Sequence, residues 1–223
     1  MVSAIILAGG RGKRMGKNIS KQYILVNGKP VLYYTIKRFL ECENVDNIVL
    51  VLPKDEIDYC KKEVLDKYSL KVDKIVEGGE ERQDSVYNAL ESLEDTDIVL
   101  IHDGARPFVS KKIIDEGITN AIKYKAAAPG VMPKDTIKVK DEESLSKETL
   151  NRTELVAVQT PQVFDFKLIK ECHEKVKEEK IAVTDDTMVV EYYGHKVFLY
   201  EGDYTNIKIT TPEDLIIAEY LAK

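Results

Sequence analysis

The chain has no tryptophan and only three cysteines in 223 residues. Cys42, Cys60 and Cys172 are odd in number and widely spaced, with no Cys-x-x-Cys pair. That pattern excludes a disulfide framework and a zinc ribbon, and the three read as reduced packing thiols. No apolar run approaches the roughly 20 residues that a membrane span needs. No basic-apolar-small leader opens the chain, so a cytoplasmic location is expected. A surplus of positive charge is also missing: 33 Lys and Arg stand against 39 Asp and Glu, a net charge of −6. Without a general basic face, nucleic-acid binding by counterion release is disfavoured. The three histidines, His102, His173 and His195, are not at metal-ligand spacing; His173 and His195 read as structural or solvated. Linkers, repeats and low-complexity tracts are absent, and the length suits one large domain.

The most informative absence is local. Residues 1–40 contain no Asp or Glu but eight Lys and Arg, so that segment is +8 and residues 41–223 carry −14. Within it an apolar run, Val2 to Ala8, breaks into Gly9, Gly10, Gly12 and Gly16, with Arg11, Lys13, Arg14, Lys17 and Lys21 among and just beyond them. Glycines allow the backbone to turn back on itself, and their free amides can cradle an anion. Cations threaded through such a turn suit a polyphosphate.

The remaining pattern is regular. Val2–Ala8, Asn47–Leu52, Lys74–Val76, Asp97–His102 and Ala126–Pro133 read as apolar strands. Between them lie helices starting at Pro30, over Asp55–Tyr68, over about Arg82–Leu93, and from a Ser110 cap to about Tyr124. This βαβαβαβαβ order predicts a Rossmann-like, mostly parallel sheet with helices on both faces. Residues 134–159 break the rhythm. Thr136–Lys140 alternates like an exposed strand, Asp141–Glu148 is a charged turn region and Thr149–Val158 returns extended. A protruding two-stranded arm fits, and such an arm needs something to lie on, a partner subunit being the natural candidate. Beyond it are expected a helix over about Phe166–Glu178, a Thr184-capped helix, a strand at Lys196–Tyr200 and a last helix with Thr211 as cap and Pro212 in its first turn.

The glycine turn misses two known fingerprints. A P-loop would need glycine at position 11 and a hydroxyl at position 18, where Arg11 and Asn18 stand. A dinucleotide fingerprint would need glycine at position 15, which is Met15. Leu7-Ala-Gly-Gly-x-Gly-x-Arg-Met15 followed by Lys21-Gln22 instead resembles the signature of sugar- and polyol-phosphate nucleotidyltransferases. Further blocks narrow the resemblance: Gly78-Gly-Glu-Glu-Arg-Gln-Asp-Ser-Val86, His102-Asp-Gly-Ala-Arg-Pro-Phe108, Asp135-Thr-Ile-Lys138, Ala157-Val-Gln-Thr-Pro-Gln-Val-Phe164, Thr184-Asp-Asp186 and Tyr204 to Asp214. In order and from end to end, these are similar to the 2-C-methyl-D-erythritol 4-phosphate cytidylyltransferases. Ribitol-5-phosphate cytidylyltransferases share most blocks but usually carry Ser-Val where Gly104-Ala105 stand, which favours the erythritol family. The Gly9-Gly10 pair, where that family more often has Ala-Ala-Gly, leans the other way.

The resemblance implies one nucleotidyltransferase domain over residues 1–223, with a dimerisation β-arm at about 134–159. It implies CMP transfer from CTP to the polyol phosphate with release of pyrophosphate and a need for Mg2+, whose ligands it leaves unknown. Arg14 and Lys21 align with the transition-state stabilisers. Ala8, Gly9, Gly10, Gly79, Glu80, Arg82 and Ser85 align with the nucleotide site. Asp103, Arg106, Thr136, Arg152, Thr160, Thr184 and Lys208 align with the polyol-phosphate site. Thr136 and Arg152 lie on the arm, which in the family reaches into the neighbouring subunit's site and makes a homodimer with composite sites.

Overall fold

The computed structural model describes residues 1–10 and 20–223. Its strands are β1 (Val2–Leu7), β2 (Leu25–Val26), β3 (Lys29–Pro30), β4 (Asn47–Leu52), β5 (Lys74–Glu77), β6 (Ile98–Asp103), β7 (Ala126–Val131), β8 (Lys138–Lys140), β9 (Ser146–Thr149), β10 (Ala157–Val158), β11 (Gln162–Asp165) and β12 (Phe198–Glu201). The α-helices are α1 (Val31–Leu40), α2 (Ile57–Cys60), α3 (Arg82–Glu91), α4 (Lys111–Tyr124), α5 (Phe166–Glu179), α6 (Asp186–Tyr192) and α7 (Pro212–Leu221). A 3-10 turn at Lys54–Glu56 leads into α2, and π-helical backbone over Lys61–Asp66 extends it.

One sheet organises these elements, in the order β10-β7-β11-β6-β1-β4-β5, with β12 also paired to β7. β1, β4, β5 and β6 run parallel, as do β7 and β12. Ala127 pairs with both Val163 of β11 and Phe198 of β12, so those two strands flank β7 on opposite sides. Strand residues alternate between two cores, as a period of two requires. Ala4 and Ile6 join Leu50 and Leu100 beneath Leu32, Ile36 and Phe39 of α1 and Ile114 of α4. Ile5 joins Val49, Val51, Val99 and Ile101 beneath Val86 and Leu90 of α3 and Val189 of α6. The sheet is therefore covered on both faces, as expected.

Three features depart from the sequence reading. β11 is an unanticipated antiparallel strand between β6 and β7. The helix after Val183 is capped by Asp185, whose carboxylate accepts from the Met188 amide at 2.9 Å, and not by Thr184. The arm's second strand starts at Ser146, and the extended return breaks into a 3-10 turn at Arg152–Glu154 before β10 rejoins the main sheet. β8 and β9 form a separate antiparallel hairpin in which every residue is exposed. Ser110 caps α4, and Thr211 with Asp214 forms the capping box of α7, both as anticipated.

Candidate active site

In open parallel sheets, ligands gather beyond the carboxyl ends of the strands. Here β1 ends at Leu7 and β6 at Asp103, in register with each other. A cleft of about 220 Å³ opens there, bordered by Ala8, Gly9, Gly10 and Lys21 on one side, by Gly79, Glu80, Arg82 and Ser85 on another, and by Asp103 and Lys208. Ten of the sequence-selected residues thus meet around one space. Arg14 lies outside the described residues.

Ala8, where the glycine segment begins, is anchored from beneath. The Gln22 amide donates to the Ala8 carbonyl at 2.7 Å and to Glu56 at 2.8 Å. A Cβ on Gly10 would stand 3.2 Å from Cε of Lys21, so that side chain lies against the turn. At Gly9 a Cβ would meet nothing within 4 Å among the described residues. Position 104 behaves oppositely. Gly104 donates its N–H to the Leu7 carbonyl at 2.8 Å, and a Cβ there would stand 2.9 Å from that same oxygen. A serine at 104 would demand a shift of β1's end, so Gly104-Ala105 is built into the backbone of this cleft.

The opposite rim is the start of α3. Glu81 and Asp84 form a capping box, and the Gly79 amide donates to the Ser85 hydroxyl at 3.1 Å. A Cβ on Gly79 would lie 2.2 Å from that of Asp84, which excludes a side chain where the loop folds onto the helix.

Asp103 is the electrostatic centre. Its Oδ2 takes Lys208 Nζ at 2.7 Å, Arg106 Nε stands 3.9 Å from the same oxygen, and Arg82 Nε stands 3.8 Å from Oδ1. Burial alone would raise the Asp103 pKa, but Lys208, Arg82 and Arg106 outweigh it and hold the carboxyl below its ordinary value. Arg106 does not line the cleft; it supports Asp103 from behind and donates to the Asn206 carbonyl at 2.8 Å.

Thr160 is also set behind the cleft and is 5% exposed. Its hydroxyl stands 3.0 Å from His102 Nδ1 and accepts from the Asp103 N–H at 3.1 Å. His102 Nε2 stands 3.0 Å from the Arg106 carbonyl, which can only accept. One arrangement satisfies all three groups: neutral His102 carries its proton on Nε2, and Thr160 donates to Nδ1. Burial agrees, lowering the His102 pKa to about 4. Thr160 thus ties the end of β6 to the segment that leads into β11.

Three other selected residues are not in the cleft lining. Thr136 and Arg152 are exposed on the arm, where Arg152 donates to the Lys134 carbonyl at 2.9 Å. Thr184 is exposed, its hydroxyl 3.6 Å from the Met188 sulfur. His195 is exposed, whereas His173 is buried against Asp186. The sequence reading passed over Asp186 itself. It is 0% exposed and takes the Arg82 guanidinium at 2.6 Å, with its pKa at about 2, because the Arg82 and His173 interactions outweigh burial. Of the Thr184-Asp-Asp186 block, it is Asp186 that the structure joins to Arg82 at the cleft rim.

Whole-chain comparisons agree with this geometry. The protein-family profile described as 2-C-methyl-D-erythritol 4-phosphate cytidylyltransferase matches residues 2–223. A protein of that name from Clostridium beijerinckii is 69% identical over 223 residues, covering 100% of this chain and 99% of its own length. Another, from Clostridium perfringens, is 65% identical over 222 residues, covering 100% and 99%. Among solved structures, the 4-diphosphocytidyl-2C-methyl-D-erythritol synthase of Anaerococcus prevotii superposes with a TM-score of 0.87 at 38% identity, covering 100% of this chain and 96% of that one. The Thermus thermophilus cytidylyltransferase does so with a TM-score of 0.80 at 30% identity, covering 98% and 97%. With its glycine turn, its capped α3 rim and its Asp103 cluster in one cleft, the chain belongs to the 2-C-methyl-D-erythritol 4-phosphate cytidylyltransferase family.

Proposed function

We propose that the protein transfers CMP from CTP to 2-C-methyl-D-erythritol 4-phosphate, giving 4-diphosphocytidyl-2-C-methyl-D-erythritol and pyrophosphate in isoprenoid precursor synthesis. The observation that carries this reading is the convergence of Lys208, Arg82 and Arg106 on Asp103, facing the glycine turn and Lys21 across one cleft. A phosphate oxygen of the polyol attacks the α-phosphorus of CTP, the new O–P bond forms, and the bond to the β-phosphate oxygen breaks. The nucleophile is already anionic, so no general base is needed. The chain's task is to bring two polyanions together and to stabilise the charge gathering on the α-phosphate. Arg14 and Lys21 take the reacting phosphate. Ala8, Gly9 and Gly10 present backbone to the triphosphate, while Gly79, Glu80 and Ser85 close over cytosine and ribose. Asp103 accepts from the polyol hydroxyls, and Lys208 meets the polyol phosphate.

The residues present fit Mg2+ brought in on the triphosphate. Among the described residues no group of three or more His, Cys, Asp or Glu could hold a metal. Mg2+ needs only one or two carboxylates beside substrate phosphates. Asp103, which borders the cleft, would be the carboxylate within reach of such an ion, in competition with Lys208, Arg82 and Arg106 for its charge. When bound, the ion supplies neutralisation of the triphosphate charge.

The arm supports a homodimer with composite sites. Ile137, Val139, Leu145 and Val156 are 38%, 37%, 61% and 41% exposed along it, an apolar load suited to a partner subunit. Thr136 and Arg152 then act in the neighbouring cleft. A cytoplasmic location fits the use of CTP and three buried free thiols; among the described residues no helix is long and apolar enough to cross a membrane. The test is a panel of CTP and UTP against methylerythritol and ribitol phosphates with Mg2+. Pyrophosphate release is expected with CTP and methylerythritol phosphate, and background rates with that pair while ribitol phosphate reacts would overturn the assignment.

A further inference from the structure

Arg82 stands between two carboxylates of different character. Its terminal Nη2 is bound to Asp186 Oδ2 at 2.6 Å, and its Nε is only 3.8 Å from Asp103 Oδ1. Asp103 borders the cleft, whereas Asp186 is fully buried and touches none of it. The second Asp186 oxygen accepts from His173 Nε2 of α5 at 3.3 Å. The Asp186 backbone is fixed as well. Its N–H donates to the Gln162 side-chain oxygen at 2.9 Å, which also takes the Thr187 N–H at 3.1 Å, while the Gln162 amide nitrogen donates to Asp185 at 2.7 Å. Gln162 itself is 2% exposed and belongs to β11, so the clamp is rooted in the central sheet.

A carboxylate held this rigidly and kept away from the substrate space has one use for its charge, which is to fix Arg82. A guanidinium has five N–H donors in a rigid fork, and anchoring one end aims the rest. We propose that Asp186, braced by His173 and Gln162, is a positioning residue for nucleotidyl transfer. It holds the Arg82 guanidinium at the cleft rim and keeps it from collapsing onto Asp103. Without it, Arg82 pairs with Asp103 and competes with Lys208 and the polyol hydroxyls for the same carboxylate. This inference rests on the proposed transfer in this cleft and assigns Arg82, which the resemblance aligned with the nucleotide site, to the Asp103 side, because its Nε stands 3.8 Å from Asp103 Oδ1.

The test is a double-mutant cycle of Asp186→Asn and Arg82→Ala, read as kcat and KM for both substrates on protein shown to be folded by circular dichroism. Asp186→Asn is expected to lower kcat/KM for the polyol phosphate by about 100-fold, the scale of a misplacement of about 1 Å at a reacting centre. The KM for CTP should move far less. In the Arg82→Ala background, Asp186→Asn should cost less than about twofold more, because the partner through which it acts is gone. Multiplying losses in the double variant would overturn the positioning role while leaving Arg82 in the site. Full activity of Arg82→Ala alone would instead overturn the placement of Arg82, and this inference with it. Should Asp186→Asn not fold, His173→Ala, which removes only the brace, enters the same cycle: a smaller loss that vanishes in the Arg82→Ala background supports the positioning role, and multiplying losses overturn it.

Discussion

Neutral His102 links the end of β6 to Arg106 and Thr160, and acid should break that link at a calculable cost. The ring is fully buried, packs 4.9 Å from the Phe39 ring, and has its pKa lowered to about 4 by burial. In the unfolded chain the same imidazole titrates near its ordinary value of 6.5. Below that value the unfolded state binds a proton that the folded state refuses, so stability is whole above about pH 6.5 and falls as pH drops towards 4. Integrating between about pH 7.5 and about pH 5 gives a loss of about 2 kcal/mol from this single group. Chemical denaturation at the two pH values, in wild type and in His102→Gln, isolates it, because carboxylates that titrate in that range contribute equally to both proteins. Glutamine can still donate to the Arg106 carbonyl and accept from Thr160 but carries no titrating group. Wild type should lose about 2 kcal/mol more than the variant over this range. Parallel losses would refute both the buried neutral ring and the hydrogen-bond chain built on it.

Other outcomes are equally specific. Gly79→Ala places a methyl 2.2 Å from the Asp84 Cβ, so the start of α3 must move; a stability loss of about 1–3 kcal/mol is expected in thermal denaturation, with a raised KM for CTP. Lys208→Ala removes the 2.7 Å partner of Asp103 and should raise the KM for the polyol phosphate by about tenfold or more in steady-state kinetics, the scale of one charged hydrogen bond, while sparing the KM for CTP. If the arm acts in trans, inactive Lys21→Ala and inactive Arg152→Ala subunits should regain activity when mixed and dissociated together; persistent inactivity would place Arg152 outside the neighbour's site.

The parallel half of the fold was legible because strands buried on both faces are written as unbroken apolar runs such as Asn47–Leu52, and helices announce their caps, as Ser110 and Thr211 do. β11 escaped because it is four residues long and opens with Gln162, a polar residue buried for its hydrogen bonds and not for its hydrophobicity. The β2–β3 hairpin was written in the chain as Asn27-Gly28, both at positive φ (47° and 80°) as a two-residue turn between antiparallel strands favours, and was passed over. In the site, the glycine turn and Asp103 follow from local pattern and resemblance. The Arg82–Asp186 pair spans 104 residues of sequence, and nothing in a local window links a carboxylate after β11 to the first residue of α3. Thr160 lies in a block that the sequence did single out, but only packing reveals that its hydroxyl meets His102 and the Asp103 amide.

The central claim, that the cleft between the glycine turn and Asp103 is where the cytidylyl group passes, meets its most direct test in a single turnover. With CTP labelled at the α-phosphate, excess wild-type enzyme and methylerythritol phosphate, the label should move into the polyol product. Lys21→Ala should slow that transfer by about 100- to 1000-fold, the cost of losing one preorganised transition-state contact, while still binding CTP. Transfer at the wild-type rate in Lys21→Ala would contradict the account.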